Sequence, residues 1–239
     1  MTMPSTPSEH LQAEEDRLRA AYARRPNDLR YSLRTAGHLF MTQQLERAVL
    51  KVLNEWRPAS MEQWSILEFG CGTGFWLRQF VQWGADPFRL HGVDLLPHRI
   101  EAARHLSPEG IHFSVANAID IDYPAASFDL VFHTTLFTSV LDADVRRRIA
   151  SEMMRVLKPG GLILWYDFHV NNPRNPDVRA ISAAEIRQLF PRCRVRLKKT
   201  TLLPPLVRAL APISWLLCEA LGAVPPLCTH YLGAISAPQ

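Results

Sequence analysis

Residues 65–75 read Ser65-Ile66-Leu67-Glu68-Phe69-Gly70-Cys71-Gly72-Thr73-Gly74-Phe75. Ile66, Leu67 and Phe69 form a short apolar run of the kind that fills a buried strand, and glycine then occupies every second position. Glycine there removes each Cβ that would forbid positive φ or hold a ligand away from the backbone. The stretch predicts a strand, a tight turn and then a helix, because Phe75 to Trp83 continues with a helical apolar rhythm. Backbone N–H groups at the start of that helix would face whatever the turn approaches. Taken alone, such a turn also suits a purely structural strand-to-helix junction.

The alternation continues downstream. Arg89 to Leu95 reads as a strand ending in Asp94, Pro97 to Leu106 as a helix, and Ile111 to Val115 as a strand leading into Ala116-Asn117-Ala118. Ser127 to His133 is a fourth strand, Asp144 to Leu157 an arginine-rich helix stopped by Lys158-Pro159-Gly160-Gly161, and Leu162 to Tyr166 a fifth strand. Strands separated by helices predict a parallel sheet covered on both faces. Ligands of such sheets bind beyond the carboxyl ends of the strands.

The flanks differ in character. Before the glycine turn, Met1 to Ser8 is rich in Pro, Ser and Thr, Glu9 to Arg25 is a charged amphipathic helix, and Leu39 to Trp56 repeats apolar residues at Leu45, Val49, Val52 and Leu53. After the fifth strand comes the turn-rich Asn171-Asn172-Pro173-Arg174-Asn175-Pro176. A helix from Ser182 to Phe190 follows, with Ser182 and Glu185 spaced as a capping box. Cys193 to Leu202 and Leu227 to Ile235 are the last two strands, and between them lies an apolar segment, 203–226, broken by five prolines. Residues 1–60 are thus a tail with cap helices and 61–239 the core, all in a single domain.

Composition narrows the class. The 239 residues are 47% hydrophobic and 21% charged, which suits a soluble globular chain with one sizeable core. Net charge is +4, mostly from arginine; clusters such as Arg146 to Arg148 and Arg192 to Arg196 alternate with apolar residues and read as solvated faces of a helix and a strand, with no nucleic-acid groove expected. The four cysteines form no C-x-x-C pair, and Met1 to Arg25 has no apolar leader core, so reduced thiols in the cytoplasm are expected. No apolar stretch reaches the roughly 18 residues that would span a bilayer.

Four phrases carry a resemblance. Glu68-Phe69-Gly70-Cys71-Gly72-Thr73-Gly74, Asp94 at the next strand end, Phe128-Asp129-Leu130-Val131, and Arg155-Val156-Leu157-Lys158-Pro159-Gly160-Gly161 resemble, in order and spacing, the class I S-adenosylmethionine-dependent methyltransferases of small-molecule type. A dinucleotide fingerprint would need glycine where Phe75 stands. The resemblance implies a Rossmann-like, doubly wound, seven-stranded, mostly parallel α/β sheet with a reversed final hairpin. It assigns Glu68, Gly70, Cys71 and Gly72 to the methionine part of the cofactor, Asp94 to the ribose hydroxyls, Leu95 to adenine, and Asn117 with Ala118 to the adenine edge. Asn117 stands where the family often has Asp, and its side-chain carbonyl can accept the same bond. His133, at the end of the fourth strand, is expected to adjoin both cofactor and acceptor.

Methyl transfer is a displacement onto a lone pair, so alignment in a dry pocket is the main demand. His133, Asp167 and His169 are the candidate bases, Tyr31, His38, Arg174 and Trp215 candidate acceptor contacts, and the histidines lack metal-ligand spacing. The segment 203–226 is expected to line an apolar acceptor tunnel, to rest on a bilayer, or simply to pack as core helices. The reading is methyl transfer to a small apolar or lipid-like molecule, at oxygen, by a cytoplasmic enzyme, with peripheral contact at the inner membrane face left open. The alternative is a non-catalytic protein of this fold that binds a partner or membrane through its apolar segment. An aminopropyl transferase would need an acidic cluster after the fourth strand, which the chain lacks.

Overall fold

The computed structural model describes residues 7–24, 31–173 and 175–237. Helices α1 (Pro7–Ala23) and α2 (Ala36–Trp56) precede β1 (Ile66–Phe69), and α3 (Phe75–Gln82), β2 (Leu90–Asp94), α4 (Pro97–Leu106) and β3 (His112–Val115) follow it. The second half runs β4 (Phe128–Thr134), α5 (Ala143–Val156), β5 (Leu157–Phe168), α6 (Ala183–Leu189), β6 (Arg194–Leu202), α7 (Pro204–Leu210), α8 (Trp215–Gly222) and β7 (Cys228–Ser236). The sheet order is β3-β2-β1-β4-β5-β7-β6. β1 to β5 are parallel, and β7 inserts antiparallel between β5 and β6, as the resemblance implied.

The two faces follow from strand parity. Ile66, Leu130, Phe132, Leu162 and Leu164 face a layer built by Leu45, Val49 and Leu53 of α2, Leu77 and Phe80 of α3 and Ile100 of α4. Leu67, Phe69, Val131, Ile163 and Trp165 face the opposite layer, made by Val145, Ile149 and Met153 of α5 and Ile186 of α6, with Leu18 of α1 against it. Every residue of β1 is buried, which is why its sequence shows no polar alternation.

Asp129 fixes the lower rim of the sheet. Its carboxylate accepts from the Ser65 amide at 3.0 Å and the Lys158 ammonium at 2.7 Å, tying the entrances of β1, β4 and β5 together. Lys158 to Gly161 do not merely stop the helix; they form the first residues of β5, with Gly160 at φ 72 and a register shift opposite Phe128 and Leu130.

Arginine 146 is likewise not on a solvated face. It is fully buried, donating from Nε to the Val140 carbonyl at 2.6 Å and from Nη1 to Glu185 at 2.6 Å. The capping box at α6 is half realised: Ser182 Oγ accepts from the Glu185 amide at 3.1 Å, while the Glu185 carboxylate serves Arg146 and Arg179.

Segment 203–226 forms α7 and α8 and packs on α2 through a small core of Phe40, Leu202, Val207, Ala211 and Cys218. Trp215 meets Phe40 edge-on at 5.6 Å.

Candidate active site

Gly70, Gly72 and Gly74 adopt φ of 69, 54 and 74°, the left-handed region that makes glycine necessary. The Gly70 and Cys71 amides both donate to the Val93 carbonyl, at 2.8 and 3.0 Å, folding the turn back over β2. Gly72 N–H donates to Asp94 Oδ2 and Leu96 N–H to Asp94 Oδ1, each at 2.9 Å. Beneath the turn Gly92 leaves room for Cys71: a Cβ at position 92 would lie 2.8 Å from the Cys71 sulfur.

The turn opens into a cavity of about 390 Å³ beyond the carboxyl ends of β1, β2 and β4, a size suited to a nucleoside-sized ligand. Glu68 and Gly70 to Thr73 line one end, Asp94 to Leu96 and Ala116 to Ala118 one wall, and Thr134 to Leu136 with Ser139 and Val140 the other. Leu18 and Tyr22 of α1 complete it from above.

Two carboxylates set its electrostatics. Glu68 is buried, Oε2 has no hydrogen-bond partner among the described residues, and burial together with the Asp94 charge holds its carboxyl well above the usual range. Arg78 opposes that shift only in part. Such a group gains from any cation placed beside it. Burial, then the Glu68 and Asp94 charges, pushes the Cys71 thiol far up, so it stays neutral.

Helix α1 is held over the cavity by polar contacts. Glu14 Oε1 accepts from the Leu141 amide at 2.6 Å, Arg17 donates to the Ser139 carbonyl at 2.5 Å, and Glu15 accepts from Asn117 Nδ2 at 2.9 Å. Arg99 lies over the Tyr22 ring at 4.4 Å. Asn117 Oδ1 accepts from Ile119 N–H at 3.3 Å and keeps a second lone pair for a ligand.

Glu68, Gly70, Cys71, Gly72, Asp94, Leu95, Asn117 and Ala118 all line this one cavity. The residues nominated for chemistry do not. His133 is fully buried, with Trp165 and Phe137 at 4.4 and 5.0 Å, and neither ring nitrogen has a partner among the described residues. Burial drives its pKa down to about 3. Strand parity is the reason: His133 follows Val131 on the inner α5 face, and its neighbours Thr134 and Thr135 reach the cavity instead.

Asp167 is also buried on that face. It accepts from Thr138 N–H at 3.1 Å and from Thr138 Oγ1 at 2.5 Å, so it anchors the turn after β4; burial raises its pKa to about 7, and those hydrogen bonds oppose the shift. His169 stacks on Tyr231 at 4.4 Å, away from the cavity lining, with its pKa lowered first by burial and then by Lys199. Tyr31 is exposed and edge-on to His38, and neither these nor Trp215 line the cavity. Arg174 lies outside the described residues. Sequence reading missed Leu18, Tyr22 and Arg99; the apolar stripe of α1 was the available signal.

Residues 66–161 match the family profile of the methyltransferase domain, the region that holds the cradle and its strands. That stretch of the chain is a methyltransferase domain of the class I S-adenosylmethionine-dependent type. Relatives include a 2-methyl-6-phytyl-1,4-hydroquinone methyltransferase of Synechocystis, 28% identical over 53% of this chain and 39% of that protein. The O-methyltransferase rstn1 of Aspergillus nomiae is 30% identical over 52% of this chain and 56% of its own length. The chain therefore spans well under two thirds of these curated relatives. Among solved structures, Haemonchus contortus phosphoethanolamine N-methyltransferase 2 in complex with S-adenosyl-L-methionine shares the fold at TM-score 0.58 and 18% identity, covering 88% of this chain and 59% of that one.

The residues of this cavity fit S-adenosylmethionine, the cofactor of that domain family. A buried carboxylate, Glu68, whose Oε2 has no partner among the described residues, meets the need of an ammonium, and Asp94 stands at the strand end with each oxygen already bearing one backbone donor and a second lone pair open.

Proposed function

We propose that this chain transfers a methyl group from S-adenosylmethionine to oxygen of a small, apolar or lipid-like acceptor. The observation that carries the reading is Glu68 Oε2, without a hydrogen-bond partner among the described residues, on a cavity that also holds Asp94 and mixes apolar side chains such as Leu18, Leu95 and Leu136 with hydroxyls of Thr134, Thr135 and Ser139. Bound there, the cofactor supplies an electrophilic methyl at a sulfonium.

Glu68 holds the ammonium, the Gly70 to Gly72 backbone accommodates the methionine part, Asp94 accepts from the ribose diol, and Leu95, Asn117 and Ala118 bracket the adenine. Leu18 and Tyr22 exclude water from above and border the path by which an acceptor arrives. No histidine, and no carboxylate other than Glu68 and Asp94, lines the cavity among the described residues. Alignment and desolvation then supply the rate, which suits an acceptor whose oxygen is already a competent nucleophile. Nucleic acid is not the expected partner. The reading places the protein in the cytoplasm, with peripheral contact at the inner membrane face.

The test is transfer of labelled methyl from S-adenosylmethionine to a panel of phenols, quinols and carboxylic acids of graded apolarity. Cofactor binding with no turnover on any of them would favour the second reading, a non-catalytic member of the fold; the exposed apolar surface of α8 is the observation behind that alternative.

A further inference from the structure

We propose that the tip formed by α7 and α8, with the basic stripe of β6 beside it, docks on an anionic lipid surface. Helix α8 spends one face on packing: Trp215 meets Phe40, Cys218 is buried, and a Cβ at Gly222 would touch Leu202 at 3.9 Å. The opposite face is apolar as well. Ile213 is 79% and Leu216 81% exposed, and Leu217 and Val224 extend the same surface. Between residues 212 and 226 the one ionisable side chain besides the buried Cys218 is Glu219, and it is paired with Arg47. A soluble face would carry charge at these positions; an apolar face of this kind marks a contact surface.

The charges nearby say what it contacts. β6 is the edge of the sheet, and Arg194, Arg196 and Lys198 are exposed on it with no ion pair among the described residues. They pair in register with Ser236, Ala234 and Leu232, and so lie on the sheet face that α2 covers. Leu202, the β6 residue that meets Gly222 of α8, is on that same parity, about 13 Å along the strand from Lys198. Apolar tip and unpaired cations therefore share one side of the molecule. That is the pairing an interfacial surface uses, apolar atoms below the headgroups and cations at them. No helix among the described residues is long and apolar enough to cross the bilayer, so the contact is peripheral. A second copy is a poorer occupant, because an isologous contact on this side would bring two unpaired basic stripes toward each other.

Flotation of the purified chain with vesicles tests this without cofactor or acceptor, so its outcome is independent of the proposed methyl transfer. Binding is expected to phosphatidylcholine vesicles carrying about 30% phosphatidylglycerol, and much less to phosphatidylcholine alone. Ile213→Glu with Leu216→Glu should lower it at least about tenfold, and Lys198→Glu about fivefold. Both sites are exposed, and an unchanged melting temperature checks that the variants fold. Equal binding to both vesicles, binding to neither, indifference to the double variant, or a solution dimer that Leu216→Glu dissolves would each overturn the proposal.

Discussion

Replacing His133 with Leu or Phe separates a base from a buried spectator. The imidazole lies among Trp165 and Phe137 with both nitrogens unpartnered among the described residues, and burial lowers its pKa from 6.5 to about 3. Two orphaned nitrogens cost about 2 kcal/mol at the low end of the range for buried polar groups. An apolar side chain recovers this less about 1 kcal/mol for imperfect fit. The expected gain near pH 7 is about 1 kcal/mol, or roughly 2–4 °C in melting temperature for a chain of this length.

The pH dependence gives a second handle. The unfolded chain protonates His133 near 6.5 and the folded chain only near 3, so the unfolded state binds more protons between them. Stability therefore rises with pH across that window and is lost as pH falls through it, by up to about 5 kcal/mol for this group. His230, lowered to about 3 by burial, and His91, lowered to about 4 first by burial and then by His112, contribute with the same sign, so the variants should retain about two thirds of the imidazole slope. Urea melts from pH 4 to 7, with calorimetry of S-adenosylmethionine binding, provide the measurements. The reasoning is refuted if both variants lose more than about 1 kcal/mol at pH 7, or if they keep stability and cofactor affinity while losing turnover, which would make His133 catalytic after all.

Asp94→Asn places an amide against the Gly72 and Leu96 donors that the carboxylate now accepts, and should weaken cofactor binding by about ten- to a hundredfold in calorimetry, with stability changed by only about 1–2 kcal/mol. Cofactor affinity should rise with pH through the elevated pKa of Glu68, because a bound ammonium favours its ionised form and proton release accompanies binding. Glu68→Gln should abolish that proton release, measured by calorimetry in buffers of different ionisation enthalpy. Asp167 has the opposite sign to the histidines: its folded pKa near 7 stands above its ordinary 3.8, so its contribution to stability declines as pH rises across that interval. Asp167→Asn should flatten this decline in thermal melts while leaving cofactor affinity within about threefold, since the side chain does not line the cavity.

The cradle was legible because its requirements are local. Positive φ at Gly70, Gly72 and Gly74, a carboxylate ahead of them and another at the next strand end leave few alternatives in the residue string itself. The sheet was legible because β1, β2, β4 and the body of β5 are short, largely buried runs, while β3 at the edge buries only Phe113. What failed were inferences from residue type without parity. His133 and Asp167 look like chemistry at strand ends, yet each shares its face with Val131 or Trp165 and turns toward α5. Arg146 looks solvated because it is charged, and only the folded chain brings Val140 and Glu185 to it. The roof was legible only as a cap helix in general: where α1 lands is set by contacts at Leu141, Ser139 and Asn117, far along the chain, that no local pattern encodes.

Gly92 never meets the ligand, yet the space it leaves is filled by Cys71 and by Leu77 of α3. One methyl group added there would have to be accommodated by the loop above or the helix beside it, since the strand on either side is locked into register with β1 and β3. The site thus has a tuning point concealed in the interior of its own scaffold, where enlarging a residue by a single carbon would register as altered grip on the nucleoside.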